Sequence, residues 1–407
     1  MALKARSTTS IGVNNMAKVY DNATDIITFA RLQSQNTTSG SSYLGSDGLL
    51  KFAAEDEPRI EYGSDGSLKG LLIEEQRTNL VMHSEDLNLF FTGQSGVSIE
   101  PAAATEGPIS AAQRMVADTS TGFHRAAGTA LVQNSTDYTF SCFFKADGQN
   151  VCGLSVYTGT SFAARASFDL STVQETVSNG SATIKSVGGG WYHCAVTGAT
   201  TGTTATVYIY VNSLFSATGD DTSGVFVYGA QLEAGSFPTS YIPTSGSQQT
   251  RSADIASIPV SAFGYNQDAG TWLMEWDTVD TGNVQAKYVL SSGSNARVMY
   301  NNAGSTTFYS YDGSTPVSTY TNPTAITFDG SHIKAAYAED DGGSSVAHTG
   351  VLGTGSGASD LLPNYNPTYG WSIGNLNNNA NFLNGHIKSI QYFPRRLTNT
   401  QLQELTS

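Results

Sequence analysis

At 407 residues the chain is too long for one ordinary core, and two or three domains are expected. Its net charge of −14 is spread thinly over 20 basic and 34 acidic residues, a surface that repels phosphate backbones and argues against nucleic acid as a partner. No stretch is long and apolar enough to span a membrane, and the polar start from Met1 to Thr28 lacks the apolar core of a signal peptide. Three cysteines, Cys142, Cys152 and Cys194, do not make a disulfide scaffold and are expected as buried, reduced thiols. Abundant Gly, Ser, Thr and Asn, with many Tyr and Phe and no long amphipathic helical pattern, predict an all-β chain of short strands and tight turns.

In chain order, residues 1–79 read as a turn-rich strand and loop region. Asp25-Ile-Ile-Thr-Phe-Ala30 is strand-like, and Gly45-Ser-Asp-Gly48 and Gly63-Ser-Asp-Gly66 punctuate the rest. Too thin in apolar residues for its own core, this region is expected to lean on a neighbour and to serve as the attachment region.

Residues 80–245 read as a β-sandwich. Tyr138, Phe140, Cys142 and Phe144 share one strand face at period two, and Val207, Ile209 and Val211 alternate with Tyr208 and Tyr210. Val225-Phe-Val-Tyr-Gly-Ala-Gln-Leu232 follows as a further strand. Pro238 to Thr250 then has linker composition.

Residues 246–407 give a second strand series, with strands at Gly270–Trp276, Lys287–Leu290, Ser305–Ser310, His332–Tyr337 and Gly385–Tyr392. A short terminal helix is predicted, because Thr398 and Gln401 have capping-box spacing and Leu402 and Leu405 fall on one face. The whole reads as tandem antiparallel β-sandwich (jelly-roll) domains.

Motifs for chemistry fail on context. Gly370-Trp-Ser-Ile-Gly374 matches a nucleophile elbow as a string, yet no helix pattern follows and no acid lies between Ser372 and His386, so a sandwich strand is expected. Gly353-Thr-Gly-Ser-Gly-Ala358 has no βαβ surroundings to make it a dinucleotide site. The six histidines show no zinc-ligand spacing. Calcium at Gly219-Asp-Asp-Thr222 or Glu339-Asp-Asp-Gly-Gly343 is disfavoured against ordinary hairpin turns, and no cofactor is expected. Glu74 and Glu75 are adjacent and would point to opposite faces of a strand, so they do not make an acid/base pair. Trp191, Trp272 and Trp276 are assigned to cores, which leaves Tyr309, Tyr311, Tyr320 and Tyr369 as the glycan-binding candidates.

Two segments carry a resemblance. Lys69-Gly-Leu-Leu-Ile-Glu-Glu-Gln-Arg-Thr-Asn-Leu-Val-Met-His-Ser-Glu-Asp86 and Tyr228-Gly-Ala-Gln-Leu-Glu-Ala-Gly-Ser-Phe-Pro-Thr-Ser-Tyr-Ile-Pro-Thr244, the latter followed by Thr250-Arg-Ser-Ala-Asp254, resemble segments of phage tail, fibre and head-spike structural proteins. In those proteins they bracket a domain similar to jelly-roll carbohydrate-binding modules. Asp56-Glu-Pro-Arg-Ile-Glu-Tyr62 matches their lead-in, and the stretch from Gly385 onward is similar to the close of a laminin-G/concanavalin A-like sandwich. The resemblance implies a virion protein without enzymatic activity, assembled in the host cytoplasm: a fibre, spike or decoration subunit held to other capsid or tail proteins by its N-terminal region. It further implies adhesion to host-surface glycan and a homo-oligomer, with a trimer favoured. The matched segments look architectural, and Arg77 is offered as a partner for a carboxylate such as Glu233. The alternatives are a purely architectural subunit with no receptor, or a polysaccharide depolymerase. The latter would need two carboxylates about 5 to 10 Å apart across one cleft, and no such pair is nominated.

Overall fold

The computed structural model describes residues 27–31, 41–266, 268–278, 287–291, 297–302, 305–311, 316–321, 332–340, 343–356, 370–376 and 381–407; of the strands between 297 and 321 and of Thr354–Ser356 it gives the backbone course. Residues 1–26 lie outside this description, and so does most of the expected span from Met1 to Thr28. The chain is mostly β, as its composition predicts, and its sheets are antiparallel. Among the described residues no helix is long and apolar enough to cross a membrane.

Two sandwiches account for most strands. In the first, one six-stranded sheet runs in the order Gln174–Asn179, Phe162–Asp169, Val151–Tyr157, Thr204–Val211, Arg125–Leu131 and Gly93–Ser95. Its mate runs Ser181–Gly188, Trp191–Ala199, Asp137–Asp147, Gly224–Ala234, Ala111–Ala117 and Val97–Ala104. The period-two faces read from the sequence meet between them: Phe140, Cys142 and Phe144 pack with Val207, Ile209 and Val211 in one buried cluster. Cys142 and Cys194 lie directly opposite each other across two strands, and all three cysteines are free and buried.

The second sandwich opposes a seven-stranded and an eight-stranded sheet. At the middle of the seven-stranded sheet, Gly270–Trp276 is buried on both faces. Trp272, Met274 and Trp276 enter the core between the sheets with Trp371, while Leu273 lies under the terminal helix beside Leu402. That double burial accounts for the nearly unbroken apolar run of this strand. The helix Asn399–Thr406 carries the predicted capping box, with Thr398 accepting from the Gln401 amide. Gly370–Gly374 is occupied by the strand Trp371–Ile373, paired with Ile255–Ile258, and not by an elbow.

The N-terminal stretch is woven into this second sandwich. Thr28–Ala30 extends the eight-stranded sheet by pairing with Ile255–Ile258. Leu68–Ile73 pairs with Gly385–Phe393, sets Leu71 and Ile73 into the core, and is itself paired with Ile60–Tyr62. The chain thus enters the second sandwich, leaves it to build the first, and returns. The crossing points, residues 74–86 and 228–254, overlap the segments singled out by resemblance.

Candidate functional site

Between the sandwiches, the outgoing and returning segments are fastened side by side. Arg77–Asn79 pairs with Gln249–Arg251. Asn79, fully buried, donates its amide to the carbonyls of Ala230 and Ile242 at 3.1 and 2.9 Å, and its Oδ1 accepts from the amides of Val81 and Leu232. All four hydrogen-bonding positions of one side chain are thereby spent on backbone. Ser84 bonds the Tyr241 hydroxyl at 2.6 Å and accepts from the Thr244 amide. Pro238–Thr250, linker-like in composition, is pinned along its length, with Thr239, Tyr241, Ile242 and Thr244 buried.

Beneath it lies a buried ionic network. The Asp254 carboxylate meets Arg31 at 3.0 Å and Arg59 at 2.5 Å, and also accepts from the Glu74 amide at 2.9 Å. Glu74 meets Arg59 at 2.8 Å and Arg251 at 3.1 Å, and accepts from both the amide and hydroxyl of Ser240. These five charged side chains are almost wholly buried. Burial alone would push the Glu74 carboxyl up; Arg251 and Arg59, with Ser240, more than offset this and hold it down at about 2. Arg77 contacts Glu75 at 2.7 Å, lies 3.5 Å from Glu233 and covers the Phe237 ring, so the suggested Arg77–Glu233 contact exists. Burial raises Glu233 despite Arg77 and its hydrogen bonds from Thr239 and Gln231. Removing one partner from such a network leaves an unpaired charge in a dry site, which makes it a rigid joint. Glu74 and Glu75 face different arginines and share no bond.

A second constellation lies on the outward face of the six-stranded sheet that includes Thr204–Val211. Strand register fixes it. Arg125 lies opposite Tyr210, which lies opposite Gly153; Tyr208 lies opposite Ser155, which lies opposite Arg165; Tyr157 lies opposite Phe162. Arg125 sits 4.4 Å over Tyr208 and 4.7 Å over Phe123, and Arg165 sits 4.6 Å over Phe162 and 4.9 Å over Phe215. Both guanidiniums also reach the Tyr210 ring that separates them. Gly153 leaves room here for the Leu214 side chain, whose residue's carbonyl accepts from Arg165. Neither arginine has a carboxylate within 4 Å among the described residues, and Phe123 and Phe215 are exposed. Unpaired cations spread on aromatic faces present flat apolar surface and bidentate donors together. The arrangement suits a ring-shaped polar ligand with an anionic group.

The tyrosines nominated from sequence are placed differently. Tyr309 and Tyr311 fall in the strand Ser305–Tyr311 and Tyr320 in Pro316–Thr321, with Tyr309 opposite Thr319 and Tyr320 opposite Phe308. Tyr309 and Tyr320 thus occupy alternate register positions; Tyr369 lies outside the described residues. The outward set of Tyr208, Arg125 and Arg165 is not among the residues that the sequence nominates. Its one sequence signal was Tyr208 and Tyr210 alternating with the core valines and isoleucine.

Among the described residues no group of three or more His, Cys, Asp and Glu is arranged to hold a metal. Asp220, weighed for calcium, accepts from Thr222 and Ser223 within its own turn, and Asp340 lies opposite Gly343 in a hairpin.

No family model matches the chain, and no curated protein matches it. Among solved structures, it is similar to the CBM40 domain of a Ruminococcus gnavus IT-sialidase bound to α2,3-sialyllactose, at 14% identity and a TM-score of 0.30, over 35% of this chain and 83% of that one.

Proposed function

We propose that this chain is a non-enzymatic structural and adhesion subunit of a phage particle, a fibre, spike or decoration protein that meets host-surface glycan with its first sandwich. The observation that carries the adhesive part is the Arg125, Arg165 and aromatic platform on the outward sheet face. Sugar rings stack on aromatic faces through their C–H groups, and guanidiniums fork onto acidic substituents. The structural part is supported by the resemblance of the crossing segments to phage fibre and spike proteins, and by their use here as a buried joint. Such a joint suits a part that must hold its shape outside a cell. Attachment to other virion proteins would fall to the N-terminal region, and several copies, most simply three, would raise weak single-site affinity by multivalency.

The virion assignment is tested by proteomics of purified particles. The chain is expected at fixed stoichiometry in them; recovery only as free protein in the lysate would contradict the assignment. A purely architectural role would leave the chain in particles but without any glycan affinity.

A further inference from the structure

The two sandwiches also leave a cleft of about 160 Å³ beside the joint, lined from both sides. From the first sandwich come Lys185, His193 and Phe143, which lie directly opposite one another on three adjacent strands, the Phe143 and His193 rings 4.6 Å apart. Tyr241 adds an edge-on ring against Phe143. From the second sandwich come Lys69 and Glu61.

The carboxylates at this cleft are already committed. Glu61 Oε2 lies 2.6 Å from His386 Nε2, and its Oε1 accepts from the Leu44 amide. Glu74 is held by Arg59 and Arg251. Lys69 and Lys185 have no carboxylate within 4 Å among the described residues. Desolvation and then Lys69 lower Lys185, which Asp277 and Glu61 offset only in part, while burial and then Lys185 push His193 down to about 4. Two lysines lining one cleft, neither of them in an ion pair among the described residues, form a site whose electrostatic cost an anionic ligand would relieve.

We propose that this cleft binds a compact ligand through one oxyanion, held between Lys69 and Lys185, with its carbon frame against Phe143 and Tyr241. Its size admits a free oxyanion or a single-ring acidic sugar. The site is separate from the platform of Arg125 and Arg165, and neither depends on the other.

The test is calorimetric titration of the full chain with three probes, inorganic phosphate, sulfate and glucuronate, while the His193 ring protons are followed by NMR. Binding of glucuronate in preference to the inorganic ions would identify an acidic sugar. Binding of phosphate or sulfate alone would identify the free oxyanion, and both results support the site. In Lys69→Gln/Lys185→Gln, affinity is expected to fall at least tenfold and the His193 response to vanish, with thermal unfolding unchanged. Arg125→Ala should leave the response intact. Failure of all three probes to bind, or equal binding by the double variant, would overturn the proposal.

Discussion

Arg59 and Asp254, 195 residues apart in the chain, meet at 2.5 Å inside the joint between the two sandwiches. That contact closes the path from one sandwich through the other and back. Its neighbours Arg31, Glu74 and Arg251 leave neither charge with a single partner. The energetic meaning of such a pair lies in what its loss exposes. Replacing a whole buried network by well-packed apolar groups is often nearly neutral, while removing one member strands the others in a medium that solvates them poorly.

Asp254→Ala should therefore destabilise the chain by about 3–5 kcal/mol, since Arg31 and Arg59 both lose a buried partner. Chemical denaturation followed by tryptophan fluorescence measures this, because Trp272, Trp276 and Trp371 lie in the core of the second sandwich. Lys51→Ala, which breaks only an exposed pair with Asp47, is expected to leave the midpoint in place. Equal effects of the two substitutions would remove the joint from the account.

A second buried group gives a pH signature. His386 places Nδ1 2.7 Å from Asp277 and Nε2 2.6 Å from Glu61, so both ring nitrogens donate and the imidazolium is the fitting form. Burial pushes its pKa down, but Asp277 and Glu61 more than offset that and raise it from 6.5 to about 9. A raised folded-state pKa gives stability that is complete below the unfolded value and is lost as pH rises through the folded one. Unfolding free energy should thus fall between pH 6.5 and about 9, by roughly 3 kcal/mol, and level off above. His386→Asn should lose that slope. A wild-type profile flat across this range would contradict the double pairing.

Gly70 tests how the N-terminal stretch is built into the second sandwich. Its φ of +130° is closed to other residues, and a Cβ there would overlap the Ile387 carbonyl across the strand pair. Because the obstacle is backbone, no side chain can swing aside. Gly70→Ala should cost more than about 2 kcal/mol by the same denaturation assay. Gly48→Ala makes the comparison: its φ is also positive, at 74°, but the space around it is open, so strain alone acts. Equal losses would mean that strand packing at Ile387 contributes nothing.

Local pattern made much of the fold legible. Tyr138, Phe140 and Cys142 declared a buried face, Trp272 and Trp276 declared one side of a core strand, and Thr398 with Gln401 announced the helix start. Each of these is a period or spacing within a dozen residues. The ionic joint is illegible in the sequence because it rests on pairings such as Arg59 with Asp254 and Arg31 with Asp254, 195 and 223 residues apart, and no local rule links them. The platform failed for a related reason. Arg125, Tyr208 and Arg165 come from three separate strands, and only their register sets them on one face. Tyrosine content alone points to Tyr309 and its neighbours, whereas arginines stacked on rings become visible only once strands are paired.

The most direct measurement is binding of the purified chain to intact host cells and to a glycan array, beside the double variant Arg125→Ala/Arg165→Ala, with released sugar assayed throughout. The account predicts saturable binding by the wild type without sugar release, weakened at least tenfold in the variant while its melting transition persists. Equal binding by the two proteins, binding by neither, or sugar released by the wild type would contradict it.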